Sequence, residues 1–213
     1  MAIIAGAVLI SGAILFVGNQ SSTGAEGGGA EVSIRPPSSQ DHIIGSPNAP
    51  IVIVEYADLQ CPYCQLIHPT LQRIVSESNG TVAWVFRNLP LESIHPEARP
   101  AAEAAECVAG LAGNDAFWKF TDTVLNDQRG IGSALYAKTA ASLGIDPAAF
   151  ANCISKKTYT DRIDVDLAEA VTNGAQGTPF SVVVGKKGDP VPFSGALPYE
   201  RIMLVIKLVQ SRQ

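Results

Sequence analysis

The sequence predicts an α/β fold in which a βαβ unit and a ββα unit are separated by a helical insertion, preceded by an N-terminal hydrophobic helix and a linker. Two apolar strand-like runs flank an amphipathic segment in the first half, an alanine-rich helical stretch fills the middle, and the strand pattern returns near the end. The chain has 213 residues, 46% of them hydrophobic. This length predicts one domain with a sizeable core.

The N-terminal segment, residues 1–18, is predicted to be a transmembrane anchor or a signal segment. Ala2 to Gly18 carries no charge over 17 residues, which is near the lower limit for a membrane-spanning helix. No basic residue precedes Arg35, so loop charge does not set an orientation. Residues 19–41, rich in Gly, Ser and Pro, are predicted to be a flexible linker. We therefore expect export from the cytoplasm, with anchored and cleaved forms both open.

The charge pattern argues against a nucleic-acid partner. The formal net charge is -5, and no cluster of Lys and Arg is interleaved with aromatic residues. A phosphate backbone would select such a cluster. The folded domain is expected over residues 42–213, and we expect it to be a monomer.

A βαβ unit opens the predicted domain. The run PIVIVEYA, residues 50–57, is β-branched and suits a strand buried on both faces. An apolar pattern at helical spacing follows and stops at Asn79 and Gly80, and TVAWVFRN, residues 81–88, is a second buried strand. The members of that pattern are Leu66, Ile67, Leu71, Ile74 and Val75. A right-handed crossover would place the preceding cysteines at the carboxyl end of the first strand, where such sheets usually carry their chemistry.

The middle of the chain, about residues 96–174, is predicted to be an insertion of four or five helices. One helix covers 101–111, and the next is capped by Asn114 or Asp115. Asp146 and Pro147 form an N-cap and N1 pair. A later helix ends at Gly174, and its predicted apolar face consists of Ile163, Leu167 and Val171.

The strand pattern then returns as an antiparallel hairpin. PFSVVV, residues 179–184, and VPFSG, residues 191–195, flank the turn GKKGDP. A closing helix follows, with Ile202, Val205, Ile206 and Val209 on one face.

The short stretch DLQCPYCQ, residues 58–65, carries the predicted chemistry. If the helix begins here, Cys61 is its N-cap, Pro62 is N1, Tyr63 is N2 and Cys64 is N3. Proline at N1 gives up an N–H that has no helical partner, and a sulfur at the N-cap would accept hydrogen bonds at the positive end of the helix dipole. Such sites lower a cysteine pKa from about 8.5 to a range of about 3.5 to 7.5. The sequence therefore predicts a redox-active pair.

Two other interpretations of the pair are open. A zinc clip needs four ligands, usually with a second close pair, and neither the other two cysteines nor His42, His68 and His95 supply one. A structural disulfide across so small a loop constrains the unfolded chain little. We therefore expect neither a metal nor a cofactor. His68 is expected to be packed or hydrogen-bonded rather than catalytic.

The chain has four cysteines, an even number that predicts two disulfides in an exported protein. Three pairings are possible. Local geometry favours Cys61 with Cys64, which leaves Cys107 with Cys153 as a disulfide stapling the helical insertion. A second electron-relay pair is the alternative.

Glu55 is an unusual residue for a buried apolar strand. A carboxylate there costs several kcal/mol unless it is neutral, paired or useful. The alternative is that Glu55 faces solvent on a half-exposed strand.

These residues together resemble the DsbA-like thiol:disulfide oxidoreductases of the bacterial envelope, which have a thioredoxin fold with a helical insertion. The resemblance covers about residues 42–211 and depends on NAPIVIVEYADLQCPYC, AAECVAGLAGNDAFWKF and GTPFSVVV, in that order. It implies that Cys61 is an exposed nucleophile and Cys64 a buried resolving thiol. It also implies that Thr178 and Pro179 form a cis peptide beside them, and that Glu55 lies beneath the disulfide and moves the Cys64 proton. Tyr63 is expected to tune potential or substrate contact.

The resemblance implies an enzyme facing the periplasm or cell exterior that donates its Cys61–Cys64 disulfide to exported protein thiols. A membrane reoxidase of the DsbB or vitamin K epoxide reductase (VKOR) type would reoxidise it. An isomerase or reductase using the same cysteines is the first alternative, because threonine before the proline resembles several such relatives. A tethered binding module with an inert disulfide is the second.

Overall fold

The computed structural model describes residues 32–187 and 190–212 and has the predicted α/β architecture. Its strands are β1 (His42–Ile44), β2 (Ile51–Ala57), β3 (Val82–Asn88), β4 (Phe180–Gly185) and β5 (Val191–Ser194). Its helices are α1 (Pro62–Glu77), α2 (Ala98–Ala112), α3 (Asn114–Asn126), α4 (Ser133–Ser142), α5 (Pro147–Ser155), α6 (Thr160–Thr172) and α7 (Tyr199–Gln210).

The five strands form one mixed sheet in the order β1-β3-β2-β4-β5. β2 and β3 run parallel, and the other neighbours are antiparallel. Every residue of β2 and β3 is buried, as expected for strands covered on both faces. The central strand β2 therefore delivers the chain from the middle of the sheet directly into α1.

The two faces of the sheet carry separate cores. Alternate β2 residues point to opposite faces, so Ile51 and Ile53 pack against α1, the insertion and α7, whereas Val52, Val54 and Tyr56 pack toward α6. Glu55 has the same parity as Ile51 and Ile53. Its side chain therefore belongs to the face that α1 covers.

The insertion between β3 and β4 contains five helices, α2 to α6. Cys107 of α2 and Cys153 of α5 form a disulfide with a Cα to Cα distance of 5.9 Å. Asp146 caps α5 as predicted, because its side chain accepts the Ala149 N–H at 2.8 Å. A covalent bond between α2 and α5 thus adds to the packing that holds the insertion together.

The predicted cap of α3 is wrong. The N-cap is Gly113, and neither Asn114 nor Asp115 occupies that position. Asn114 instead uses its side-chain amide to bond both backbone groups of Ile43, at 3.1 and 3.0 Å. That amide therefore ties α3 to β1, a three-residue edge strand too short for the sequence pattern to predict.

Two predicted apolar positions are exposed. Leu66 of α1 is 61% exposed and Val171 of α6 is 58% exposed. The buried face of α6 instead includes a charged residue, Asp166. It is 3% exposed and accepts the Asn88 N–H at 3.0 Å. The helix thus turns a carboxylate inward because β3 and the N-terminal segment supply donors for it.

The N-terminal end of the described chain lies against the domain. The Ser33 N–H donates to Asn173 at 2.6 Å, and the Arg87 side chain donates to Asp41 at 3.0 Å. Ordered contacts therefore begin within the predicted linker, before the expected boundary at residue 42. The predicted anchor, residues 1–18, lies outside the described residues. Across 32–187 and 190–212, none of the helices has the length and apolarity needed to span a membrane.

Candidate active site

The two cysteines lie where β2 gives way to α1. A turn follows β2, in which the Cys61 N–H donates to the Asp58 carbonyl at 3.0 Å. Cys61 has extended backbone angles, φ -76° and ψ 124°, and is the N-cap of α1. Pro62 occupies N1, where the N–H it lacks has no helical partner. Cys64 follows in the first turn, so both sulfurs lie at the start of α1.

Both cysteines carry free thiols and both are buried, which differs from the exposed nucleophile that the resemblance implies. Cys61 is 3% exposed and Cys64 is 1% exposed. The Cys61 sulfur lies 3.4 Å from the Thr178 carbonyl oxygen, so the segment before β4 covers it on one side. The adjacent Tyr63 is 60% exposed. Cys61 therefore lies just beneath the surface that Tyr63 forms.

The Cys61 thiol is strongly acidic in this setting. A hydrogen bond from the Cys64 thiol, opposed by burial, is the largest cause that lowers the pKa of Cys61 to about 5. Thr178 and the N–H groups of Cys64 and Tyr63 lower it further. A thiolate is the nucleophilic form of cysteine. Cys61 is therefore ionised at neutral pH whenever the pair is reduced.

The mechanism of this acidity differs from the predicted one. The Cys61 sulfur makes no direct capping hydrogen bond to the first-turn N–H groups, although the cap position itself is as predicted. These groups act on the sulfur as nearby partial positive charges. The main donor is instead the second cysteine of the pair.

The pKa of Cys64 shifts in the opposite direction. Burial is the largest cause that raises the pKa of its thiol well above the ordinary value, and the interactions with Cys61 and Glu55 raise it further. The Asp58 N–H lies 3.4 Å from the Cys64 sulfur and opposes this shift. The pair therefore consists of one thiolate and one protonated thiol at neutral pH.

Glu55 is buried at 1% exposure, which excludes the alternative of a solvent-facing carboxylate. Its Oε2 accepts the indole N–H of Trp84 at 3.0 Å. Burial raises the pKa of Glu55 to about 8, the Trp84 hydrogen bond lowers it, and the charge of Cys61 raises it. A group with this pKa exchanges protons near neutral pH.

The Thr178–Pro179 peptide is cis in the structure. The Thr178 carbonyl oxygen lies against the Cys61 sulfur, so the two segments meet there. Within the described residues, the buried Thr178 hydroxyl makes no hydrogen bond of good geometry, although it lies close enough to the Cys61 sulfur to help lower its pKa. The structure thus brings Cys61, Cys64 and Thr178 together, whereas the Cys107–Cys153 disulfide lies within the insertion.

Three residues near the cysteines did not stand out in the sequence. Asp58 is buried and accepts the His95 Nδ1–H at 2.7 Å. The indole N–H of Trp84 donates to Glu55. An Asp at the start of a turn is a recognisable signal for a side-chain-capped turn. Trp84 and His95 gave no signal, because their contacts depend on the tertiary fold.

The other histidines bond to carboxylates. His68 lies 2.6 Å from Asp122, and His42 lies 3.0 Å from Glu106. Among the described residues, no group of three or more His, Cys, Asp or Glu side chains could hold a metal ion. A cavity of about 670 Å³ is lined by residues of α2, α4 and α5, including Tyr136 and Phe150, and neither Cys61 nor Cys64 lines it.

Comparison with protein families and known sequences gives two results. A family model described as thioredoxin matches residues 38–196. The Na(+)/H(+) antiporter NhaA 3 of Salinispora tropica is 33% identical over 164 residues, which are 77% of this chain and 24% of that protein. NhaA 1 of Salinispora arenicola is 34% identical over 148 residues, or 70% of this chain and 22% of that protein. The chain spans about a quarter of the length of the curated relatives it matches.

Solved structures share the fold. The structure of DsbA2 from Pseudomonas aeruginosa has a TM-score of 0.69 at 26% identity, covering 81% of this chain and 95% of that chain. BdbD from Bacillus subtilis has a TM-score of 0.70 at 24% identity, covering 84% and 97%. The similarity therefore includes the helical insertion as well as the sheet.

Proposed function

This chain belongs to the thioredoxin family and has a DsbA-like fold, and we propose that it is a thiol:disulfide oxidoreductase that oxidises exported proteins. The observation that carries the proposal is the split of one cysteine pair at the start of α1. The pKa of Cys61 falls to about 5, whereas that of Cys64 rises. A thiolate stabilised in the reduced form makes the disulfide a stronger oxidant.

The proposed reaction begins with the Cys61–Cys64 disulfide. A substrate thiolate attacks Cys61, and Cys64 leaves with the electron pair as a thiolate. A second substrate thiolate then attacks the substrate sulfur of the mixed disulfide, and Cys61 leaves. The substrate gains a disulfide, and the enzyme is left with two reduced cysteines. Glu55 returns a proton to Cys64, in keeping with a pKa of about 8.

The wider setting of the reaction is also part of the proposal. The substrates are thiols of exported proteins, and a membrane reoxidase of the DsbB or VKOR type restores the disulfide. The domain faces the periplasm or cell exterior, anchored by residues 1–18 or released after their cleavage. The antiporter relatives are four times longer than the matched region, so their transport activity is not proposed for this chain.

A second candidate is an isomerase or reductase with the same cysteines. Thr178 before Pro179 is the feature that favours it, because threonine at this position resembles several reducing or isomerising relatives. An inert, tethered binding module is the third candidate. The three candidate functions predict different stabilities of the Cys61–Cys64 disulfide toward reduction.

The redox potential of the pair separates these candidates. We would measure it against glutathione in a Cys107→Ser/Cys153→Ser variant, together with the pKa of Cys61 by pH-dependent alkylation. A redox potential of about -120 mV supports the oxidase, and one of about -270 mV supports the reductase. A potential below about -300 mV supports the inert module. A Cys61 pKa near 8.5, that of free cysteine, would contradict the proposal.

A further inference from the structure

The loop between β3 and α2, residues 89–97, lies against the turn that precedes Cys61. The Leu91 N–H donates to Asp58 Oδ2 at 3.0 Å, and the His95 Nδ1–H donates to the same oxygen at 2.7 Å. The Glu97 N–H donates to the Gln60 side-chain oxygen at 2.7 Å. Three hydrogen bonds therefore join the start of the insertion to the active-site turn.

Asp58 is the centre of this contact. The residue is 1% exposed, and its other carboxylate oxygen accepts the Gln60 N–H at 2.8 Å. A buried carboxylate is costly unless hydrogen bonds satisfy it, and here three donors do so. Because Oδ1 is held by the turn and Oδ2 by the loop, the side chain cannot rotate without losing a donor.

The backbone of Asp58 contacts both cysteines. Its carbonyl oxygen accepts the Cys61 N–H, and its own N–H lies 3.4 Å from the Cys64 sulfur. This N–H opposes burial and Glu55, which raise the pKa of Cys64. A hydrogen bond to a thiolate favours the ionised form.

We propose that Asp58, held by His95 and Leu91, is a positioning residue that directs its own N–H at the Cys64 sulfur and so stabilises the Cys64 thiolate. His95 acts through Asp58 and contacts neither sulfur. The inference rests on the proposed function, because it concerns the step in which Cys64 gains or loses its charge.

That step can be followed in the resolving direction. The Cys64 thiolate attacks Cys61 in a mixed disulfide with glutathione, the Cys61–Cys64 bond forms, and glutathione leaves as a thiolate with the electron pair. Cys64 is oxidised, glutathione is reduced, Cys61 exchanges one disulfide for another, and the Cys64 proton passes to Glu55 or water. In the oxidising direction the Cys64 thiolate is the leaving group. The Asp58 N–H therefore assists the reaction in both directions.

The test compares His95→Phe with His95→Asn. Phenylalanine keeps a ring but has no donor, whereas the asparagine amide restores one. We would measure the single-turnover rate of resolution of the glutathione mixed disulfide from pH 5 to 10. In His95→Phe we expect the pH profile to shift upward by about one unit, which is about tenfold slower resolution at pH 7. His95→Asn should restore most of the rate.

Two controls distinguish positioning from a general loss of structure. Gln128 donates to the Leu59 carbonyl at 2.8 Å, so Gln128→Leu removes another bond to the same turn without touching Asp58. Its resolution profile should match that of the unmodified chain. The pKa of Cys61, measured by thiolate absorbance in a Cys64→Ser background, should not change with His95→Phe. Asp58→Asn, which retains only one acceptor oxygen, should slow resolution in the same direction if His95→Phe does not fold.

An unchanged profile in a folded His95→Phe, or an equal shift in Gln128→Leu, would overturn the inference. A parallel shift of the Cys61 pKa would also overturn it, because it would indicate a disturbed site. If the unmodified chain does not resolve the mixed disulfide at any pH, the proposed function itself fails.

Discussion

Cys61 and Cys64 have the same side chain and lie within one helical turn, yet their pKa values move in opposite directions. Cys61 receives a hydrogen bond from its partner and faces the first-turn amides, whereas Cys64 is enclosed by the core near Glu55. The hydrogen bond from Cys64 is the largest cause of the shift at Cys61, whereas burial is the largest cause at Cys64, so the two pKa values move apart. Proton exchange at Cys64 is therefore the step in which this site most needs help from neighbouring groups.

Glu55 should make stability depend on pH. Its pKa is about 8 in the folded chain and 4.5 ordinarily, so between these values the folded chain holds a proton that the unfolded chain has lost. Stability is therefore full below pH 4.5 and falls as the pH rises through 8. The full shift corresponds to about 5 kcal/mol. In the disulfide form, which lacks the Cys61 charge that raises this pKa, we expect Glu55→Gln to be more stable than the unmodified chain by about 4 kcal/mol at pH 9, and equally stable near pH 4.

Urea unfolding at several pH values, with both disulfides intact, measures this difference. Glu200 is exposed, and Glu200→Gln serves as the matched control because it removes a carboxylate without changing a buried group. A stability difference for Glu55→Gln that does not depend on pH would show that its carboxyl is not held protonated by the fold.

The residues of the site differed in how far the sequence predicted them. Cys61 at the cap and Pro62 at N1 follow from local rules of helix starts, which depend on few residues. The burial of Cys61 was not predicted, because it depends on the Thr178 carbonyl, which is more than a hundred positions away in the chain. The contact of Trp84 with Glu55 likewise needs the parallel register of β2 and β3.

At the scale of elements, the disulfide between α2 and α5 is expected to hold the insertion together without tuning the active site. Cys107 and Cys153 are 46 positions apart, and in the chain-entropy model closing such a loop contributes about 4 kcal/mol. We expect Cys107→Ala/Cys153→Ala to lose about this much in urea unfolding at pH 7. The redox potential of the Cys61–Cys64 pair should stay the same within error.

A changed potential in that variant would support the electron-relay alternative, because a purely structural disulfide has no route to the active-site sulfurs. The single variants Cys107→Ala and Cys153→Ala are less suitable, because each leaves a free thiol.

The elements themselves were predicted where periodicity was strong. The βαβ unit and the hairpin of β4 and β5 match, because their strands are long or flanked by clear turn residues. The pattern of α6 failed at Val171, because a buried network of charges replaces apolar packing on that helix. Hydrophobic periodicity gives no signal for such a network.

At the scale of the whole molecule, residues 32–41 act as part of the domain. Arg87 is 1% exposed and bonds Asp41 at 3.0 Å and Glu169 at 2.7 Å, and the backbone of Arg35 accepts a third bond from it. We expect a chain that begins at residue 42 to be about 3 kcal/mol less stable than one that begins at residue 32, because Arg87 loses Asp41 and the Arg35 carbonyl.

Urea unfolding of the two shortened chains measures this loss. Arg87→Met in the shorter chain should recover part of it, because it removes the partly unpaired charge. Equal stability of the two chains would show that the N-terminal contacts add nothing to the fold.

The same contacts set how far the domain could move from a bilayer if residues 1–18 are retained as an anchor. Contacts with the domain start at Val32, which packs against the core, so a tether between such an anchor and the domain would be no longer than residues 19–31, which is 13 positions (31 minus 19 plus 1) instead of the 23 of the whole predicted linker. At about 3.5 Å per residue, its greatest span is about 45 Å, close to one diameter of a domain of this size. Only incoming chains that are still close to the membrane surface would then meet Cys61.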